Sequence, residues 1–112
     1  MYLTALNEFD FHPSLSHSAG VSLVLFTAPH CGSCRVWVQL LQNLSTPLIQ
    51  HAYSVDVQTA TALAREYDVF HLPSLFLFVD GRFHAPLQAE AQPSAVVAAI
   101  QHALNAPAHE EP

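Results

Sequence analysis

The stretch "TAPHCGSCRVW", residues 27–37, decides the fold, because it places a cysteine pair where an apolar strand gives way to a helix. Cys31 and Cys34 are the two cysteines of the chain and have the C-x-x-C spacing. The run "VSLVLFT", residues 21–27, is continuous and rich in β-formers, which is typical of a central strand buried on both faces. Apolar residues then recur at helical spacing in "RVWVQLLQNL", so a helix is predicted to begin at the cysteines.

The other elements are predicted from hydrophobic periodicity and turn residues. Strands joined through a helix run parallel and a hairpin is antiparallel, so the predicted fold class is α/β with a mixed central sheet flanked by helices. Besides the central strand, the predicted elements are a strand at 3–6, a helix at 9–18, the cysteine helix ending before Pro47, a strand at 47–57, a helix at 59–68, a hairpin within 71–87 that turns at Asp80-Gly81, and a helix at 93–104.

The length of 112 residues predicts a single domain, since a chain of this size can bury one core. Residues 1–106 are assigned to that domain. The polar residues 107–112, two of which are prolines, are assigned to a flexible C-terminal tail.

The core-facing stripe of the cysteine helix is predicted to consist of Val36, Leu40 and Leu44, with Trp37 and Leu41 beside them.

Composition argues against several classes of function. Lysine is absent, and three arginines oppose nine Asp and Glu residues, for a formal net charge of −6. Nucleic acid is therefore not an expected partner, because a polyanion-binding face needs clustered cations, and a lysine Schiff base is excluded. No apolar run approaches the roughly 20 residues of a membrane span, and the start of the chain lacks the pattern of a secretory signal peptide. We therefore expect no membrane association and a cytoplasmic location; no pattern indicates an oligomeric state.

Three interpretations of the cysteine pair remain open. A metal site would need further ligands, for which His30 and His71 are candidates, because no second C-x-x-C or H-x(3-5)-H motif is present. A permanent structural disulfide is disfavoured, because closing so short a loop removes little unfolded-chain entropy. A redox-active pair is favoured by its position, since the N-terminus of a helix stabilises a thiolate through its dipole and its unpaired N–H groups.

The position of the pair also assigns a role to each cysteine. Cys31 lies nearer the turn and should be more exposed, so it is predicted to attack a disulfide as a thiolate. Cys34 lies about one helical turn deeper and is predicted to break the resulting mixed disulfide. This exchange implies no cofactor.

Three stretches of the sequence resemble the thioredoxin family, and the resemblance covers about residues 20–104. "LVLFTAPHCGSCR", residues 23–35, resembles the strand that leads into the family's W-C-G-P-C-[KR]. "EYDVFHLPSLFLFVDGRF", residues 66–83, is similar to the K-Y-x-[IV]-x-x-[IV]-P-T-[LF]-x-x-F-x-x-G segment, and "YSVDV", residues 53–57, is similar to the family's strand ending in V-D. The resemblance implies a thioredoxin-like domain over residues 1–106.

The resemblance also implies an activity, thiol-disulfide exchange with protein disulfides, and an electron donor that is a reductase or glutathione. Pro73 stands at the position of the family's cis-proline, which packs against the cysteines, and the Leu72 backbone is expected to pair with an extended substrate segment. The expected catalytic residues are Cys31, Cys34 and His30. The expected substrate-binding residues are Gly32, Ser33, His71, Leu72 and Pro73.

Four positions depart from the family pattern. His30 stands where the family usually has tryptophan, and Ser33 where it has proline. Leu25 stands where thioredoxins have a buried aspartate that helps to deprotonate the resolving cysteine, and Ala52 is assigned to the position of its lysine partner. We expect these changes to alter the rate and the reduction potential of the exchange rather than to abolish it.

His30 is expected to lower the pKa of Cys31 and to make the protein more oxidising, because a neighbouring imidazolium favours the thiolate. His71 is expected to add to this effect or to replace the missing base. The alternative is that both histidines occupy solvent-facing positions without a catalytic role. The alternative function is a redox-inactive thioredoxin-like module that binds a peptide, as a chaperone would, beside Pro73.

Overall fold

The structure contains five strands and four helices in the predicted order. A computed structural model describes residues 1–112. The strands form one sheet in the order β1-β3-β2-β4-β5, so β2 is central as predicted. The elements are β1 (Thr4–Leu6), α1 (Phe11–Ser16), β2 (Val21–Thr27), α2 (Gly32–Asn43), β3 (His51–Asp56), α3 (Thr61–Glu66), β4 (Ser74–Val79), β5 (Arg82–Leu87) and α4 (Pro93–Asn105).

The pairing of the strands determines which loops meet. β2 runs parallel to β3 and antiparallel to β4, so the sheet is mixed, as predicted. The register pairs Thr27 with Asp56 and Phe26 with Ser74. Because β2 and β3 end at the edge where β4 begins, the loop that carries the cysteines and the loop that precedes β4 are neighbours.

Helices cover both faces of the sheet, and β2 is therefore buried on both sides. Val24 and Phe26 belong to a cluster that includes residues of α1 and α3. Leu23 and Leu25 belong to a second cluster that includes residues of α2 and α4. Each fully buried Leu or Phe contributes about 1.5–3 kcal/mol of transfer free energy, so β2 anchors both apolar layers. None of the helices combines the length and the apolar character that crossing a bilayer requires.

The core-facing stripe of α2 differs from the prediction at Val36 alone. Its buried residues are Cys34, Trp37 and Leu41, which confirms Trp37 as a core residue, whereas Val36 is 53% exposed. Positions i, i+3 and i+7 share one face of a helix. The buried Cys34 therefore fixes a face that excludes Val36, and hydrophobicity alone does not reveal that a cysteine belongs to it.

Three elements are shorter than predicted. β3 starts at His51 rather than at residue 47, because Pro47 and Leu48 form a turn in which the Leu48 N–H donates to Thr46 Oγ1 at 3.3 Å. α3 starts at Thr61 rather than at Thr59, since the Thr59 hydroxyl and N–H both donate to the Asp56 carbonyl in a turn. α1 spans Phe11–Ser16.

The C-terminal tail contacts the edge strand β5 and the core. The His109 N–H donates to the His84 carbonyl at 2.7 Å, and the hydroxyl of the buried Tyr67 donates to Glu111 Oε1 at 3.1 Å. Burial, followed by nearby carboxylates, raises the pKa of Tyr67, so the phenol remains a hydrogen-bond donor. The flexibility of this tail stays a prediction.

The turn between β4 and β5 depends on Gly81. Gly81 has a φ of +81°, and a Cβ added there would meet the Leu15 carbonyl oxygen of α1 at 2.6 Å. Gly81→Ala is therefore expected to lower the free energy of unfolding by about 2 kcal/mol, which thermal and urea unfolding measure. Gly32→Ala is the matched control, because nothing lies within 4 Å of a Cβ added at Gly32. Equal losses for the two variants would contradict this account.

Candidate functional site

The cysteine pair occupies the N-terminus of α2. Cys31 is the N-cap residue, and its Sγ accepts a hydrogen bond from the Cys34 N–H at 3.2 Å. The two Sγ atoms lie within disulfide-bonding distance, with the Cα atoms 5.2 Å apart. Cys31 is half-buried, whereas Cys34 is 1% exposed and packs under it. The sequence predicted this difference in exposure from the position of each cysteine in the helix.

The loop before β4 lies against the cysteines. The Leu72–Pro73 peptide bond is cis, and the Ser74 hydroxyl fixes the loop by donating to the His71 carbonyl at 2.6 Å. Ser33 Oγ lies 3.6 Å from Cys31 Sγ and 3.5 Å from the Leu72 carbonyl oxygen. The structure therefore brings Cys31, Ser33 and Leu72 together, although they come from two separate segments.

The histidines lie at the rim of this site. His30 is exposed and has a φ of 63°, a left-handed conformation that His adopts more readily than most residues. No hydrogen bond joins the His30 ring to either cysteine. His71 is also exposed and lines a cavity of about 200 Å³ on the β5 side of Pro73. No group of three or more His, Cys, Asp or Glu residues is arranged to hold a metal ion, so the metal interpretation finds no ligand set.

The positions beneath the cysteines carry no charge. Leu25 is fully buried in the same cluster as Trp37. Its partner across β2 and β3 is Ser54, whereas Ala52 pairs with Leu23. Ala52, which is assigned to the position of the family's lysine, therefore lies two residues before the register partner of Leu25 along β3. Neither Leu25 nor Ser54 can take a proton from Cys34.

An apolar groove beside the site was missed by sequence reasoning. Val57, Val69, Phe70 and Leu72 line it together with Arg65, and its volume is about 390 Å³. Phe70 is 85% exposed, which is unusual for so large an apolar side chain. The available signal was a phenylalanine between the end of α3 and the Leu72–Pro73 loop, at the edge of the sheet where the cysteines lie.

Thiol-disulfide exchange requires one sulfur that a substrate can reach and a second that can attack the first. Cys31 and Cys34 meet this requirement, since one is accessible and the other is in contact with it from below. The fold and the site together define a thiol-disulfide oxidoreductase.

Comparisons with known proteins agree with this class. The thioredoxin family model matches residues 2–102, and the chain therefore belongs to the thioredoxin family. The chain is 30% identical over 100 residues to chloroplastic thioredoxin Y2 of Arabidopsis thaliana, covering 88% of this chain and 59% of that protein. It is 30% identical over 84 residues to thioredoxin of Staphylococcus aureus, covering 73% of this chain and 79% of that protein.

A solved structure supports the fold independently. The crystal structure of Chlamydomonas reinhardtii thioredoxin f2 superposes with a TM-score of 0.76 over 90% of this chain and 96% of that chain, at 22% sequence identity. The thioredoxin-like fold predicted from the sequence is thereby confirmed.

The exposure of His30 limits its effect on Cys31. His30→Ala is expected to raise the pKa of Cys31 by only about 0.3 units, because solvent and salt screen an exposed imidazolium. Thiolate absorbance near 240 nm, followed against pH in reduced protein, measures the change, and about 0.5 M salt should remove it. His71→Ala is the matched control on the other side of the loop. An unchanged titration would remove His30 from the mechanism.

Proposed function

We propose that the chain exchanges a dithiol for a disulfide with protein substrates, with Cys31 as the nucleophile and Cys34 as the resolving thiol. The observation that carries the proposal is the half-buried Cys31 at the N-cap of α2, in contact with the buried Cys34. The N–H of Cys34 and the dipole of α2 favour the Cys31 thiolate. Cys34 lies too deep to reach a protein substrate first.

The exchange takes place in two steps when the protein starts reduced. The Cys31 thiolate attacks one sulfur of the substrate disulfide, the S–S bond breaks, and the second substrate sulfur leaves as a thiolate that takes a proton from water. Cys34 then loses its proton and attacks Cys31 Sγ, which forms the Cys31–Cys34 disulfide and releases the first substrate sulfur. Two electrons pass to the substrate. The reverse sequence oxidises a substrate dithiol.

The second step needs a route for the Cys34 proton. Leu25 and Ser54 cannot accept it, so the acceptor is solvent, a group of the substrate or one of the exposed histidines His30 and His71. We therefore expect resolution to be slow compared with a protein that has a carboxylate beneath the cysteines. Because resolution is slow, the mixed disulfide between Cys31 and the substrate is expected to be long-lived.

The surface beside Cys31 fits an extended polypeptide. Leu72 makes no backbone–backbone hydrogen bond, so its N–H and carbonyl can pair with a substrate strand. The groove formed with Val57 and Phe70 can take an apolar side chain next to the substrate cysteine. Arg65 forms no salt bridge within the chain, and it favours a carboxylate on the neighbouring substrate residue.

The partners follow from the same chemistry. The oxidised pair must be reduced again, and a reductase or glutathione is the proposed donor. Such exchange contributes to the thiol-disulfide balance of the cell. The cytoplasmic location expected from the sequence is part of this proposal, and fractionation of cells that express the tagged chain tests it.

The peptide-binding alternative is favoured by one observation, the exposed Phe70 beside the groove. A module of this kind binds its partner without the cysteines. Binding that survives Cys31→Ser with Cys34→Ser, together with no turnover by the unmodified protein, would establish this alternative in place of exchange.

Cys34→Ser tests the assignment of the two sulfurs. With the resolving thiol removed, a mixed disulfide through Cys31 is expected to accumulate when the reduced variant meets insulin as a disulfide substrate. Non-reducing gels and mass spectrometry of the linked peptides measure it. Cys31→Ser is the matched control and should trap little, because Cys34 is 1% exposed. Equal trapping by both variants would contradict the assignment.

Phe70→Ser tests the groove as a docking surface. The change is expected to raise the KM for a peptide disulfide about fivefold, with kcat unchanged, because part of a buried aromatic contact is lost. The rate with a small disulfide such as bis(2-hydroxyethyl) disulfide should not change. Phe9→Ser is the matched control, since Phe9 is 89% exposed and Phe70 85%, but Phe9 does not line the groove. The same KM increase in both variants would refute the docking role.

A further inference from the structure

Ser33 is the polar side chain that contacts both the reacting sulfur and the substrate-pairing backbone. Its Oγ lies 3.6 Å from Cys31 Sγ and 3.5 Å from the Leu72 carbonyl oxygen. An O–H···O bond is usually 2.5–3.0 Å long, so the bond to Leu72 is long and weak. Ser33 is exposed and rotates freely about one bond. Its single hydrogen can serve one of the two acceptors at a time.

We propose that the Ser33 hydroxyl is a redox-dependent donor, which bonds to the Leu72 carbonyl when the cysteines are oxidised and to the Cys31 thiolate when they are reduced. The hydroxyl keeps its proton throughout, and no bond to carbon or sulfur changes in this step. The inference rests on the proposed function in one respect, since it takes the Leu72 carbonyl as the acceptor for a substrate backbone N–H.

The preference in each state follows from acceptor strength. A disulfide sulfur is a weak acceptor, so in the oxidised protein the carbonyl oxygen of Leu72 is the better partner. A thiolate carries a full charge, and hydrogen bonds to charged acceptors are about twice as strong as neutral ones. Reduction therefore moves the hydroxyl toward Cys31, where it joins the Cys34 N–H as a second donor to the same sulfur.

The consequence is a coupling between the redox state and substrate docking. In the reduced protein the Leu72 carbonyl has no intramolecular donor and can accept from a substrate strand, while Cys31 is stabilised as a thiolate. In the oxidised protein the Ser33 hydroxyl occupies one of the two lone pairs of that carbonyl and so weakens it as an acceptor for the substrate. Ser33 thus acts as a positioning residue that favours docking before exchange and release after it.

Two measurements on the full chain test the coupling, and neither uses exchange activity. The first is the pKa of Cys31 in reduced protein, from thiolate absorbance. The second is the affinity of a cysteine-free extended peptide for the reduced and for the oxidised protein, at a pH where Cys31 is ionised. The variants are Ser33→Ala, which removes the hydroxyl, and Ser33→Thr, which keeps it and should behave as the unmodified chain does.

We expect Ser33→Ala to raise the pKa of Cys31 by about one unit. The unmodified chain should bind the peptide about threefold more tightly when reduced than when oxidised, and Ser33→Ala should bring this ratio close to one. An unchanged pKa in Ser33→Ala, an unchanged ratio, or a Ser33→Thr variant that behaves like Ser33→Ala would overturn the inference. A chain that gives both expected results but reduces no disulfide would instead overturn the proposed function.

Discussion

The antiparallel pairing of β2 with β4 is the constraint on which the rest of the site depends. Because β4 starts where β2 ends, the loop before β4 must lie next to the loop after β2. Phe26 and Ser74 are register partners. The cysteine loop follows Phe26, and the Leu72–Pro73 loop precedes Ser74. Neither the contact of Ser33 with Leu72 nor the groove at Phe70 would exist if β4 ran in the other direction.

The second constraint is that the base of the site belongs to the core. Leu25 is fully buried in the apolar cluster that includes residues of α2 and α4, and burying a carboxylate there would cost desolvation free energy unless it found a partner. An apolar residue avoids this cost. The chemistry of the cysteines therefore depends on groups above them, which are the N–H donors of α2 and the Ser33 hydroxyl, rather than on a proton acceptor below.

Much of the fold was predictable because strong local signals agreed. The apolar run of β2, the Asp80-Gly81 turn and Pro93 at the start of α4 each determine their element by backbone chemistry, and all were correctly predicted. The residues that faced each other across elements were harder to predict. Ser54 is the register partner of Leu25, which follows from long-range strand pairing and not from any local pattern. Val36 is exposed because Cys34 fixes the orientation of α2.

The ends of the sheet have a consequence for association between copies of the chain. An edge strand with unpaired backbone groups is a template for intermolecular pairing. At one edge, β1 spans three residues, so it offers few free groups. At the other, Pro86 lacks an N–H within β5, and the His109 N–H occupies the His84 carbonyl. Both edge strands are thereby protected from the addition of a strand from another chain. The Leu72 backbone, which makes no backbone–backbone hydrogen bond, remains available to pair with such a strand.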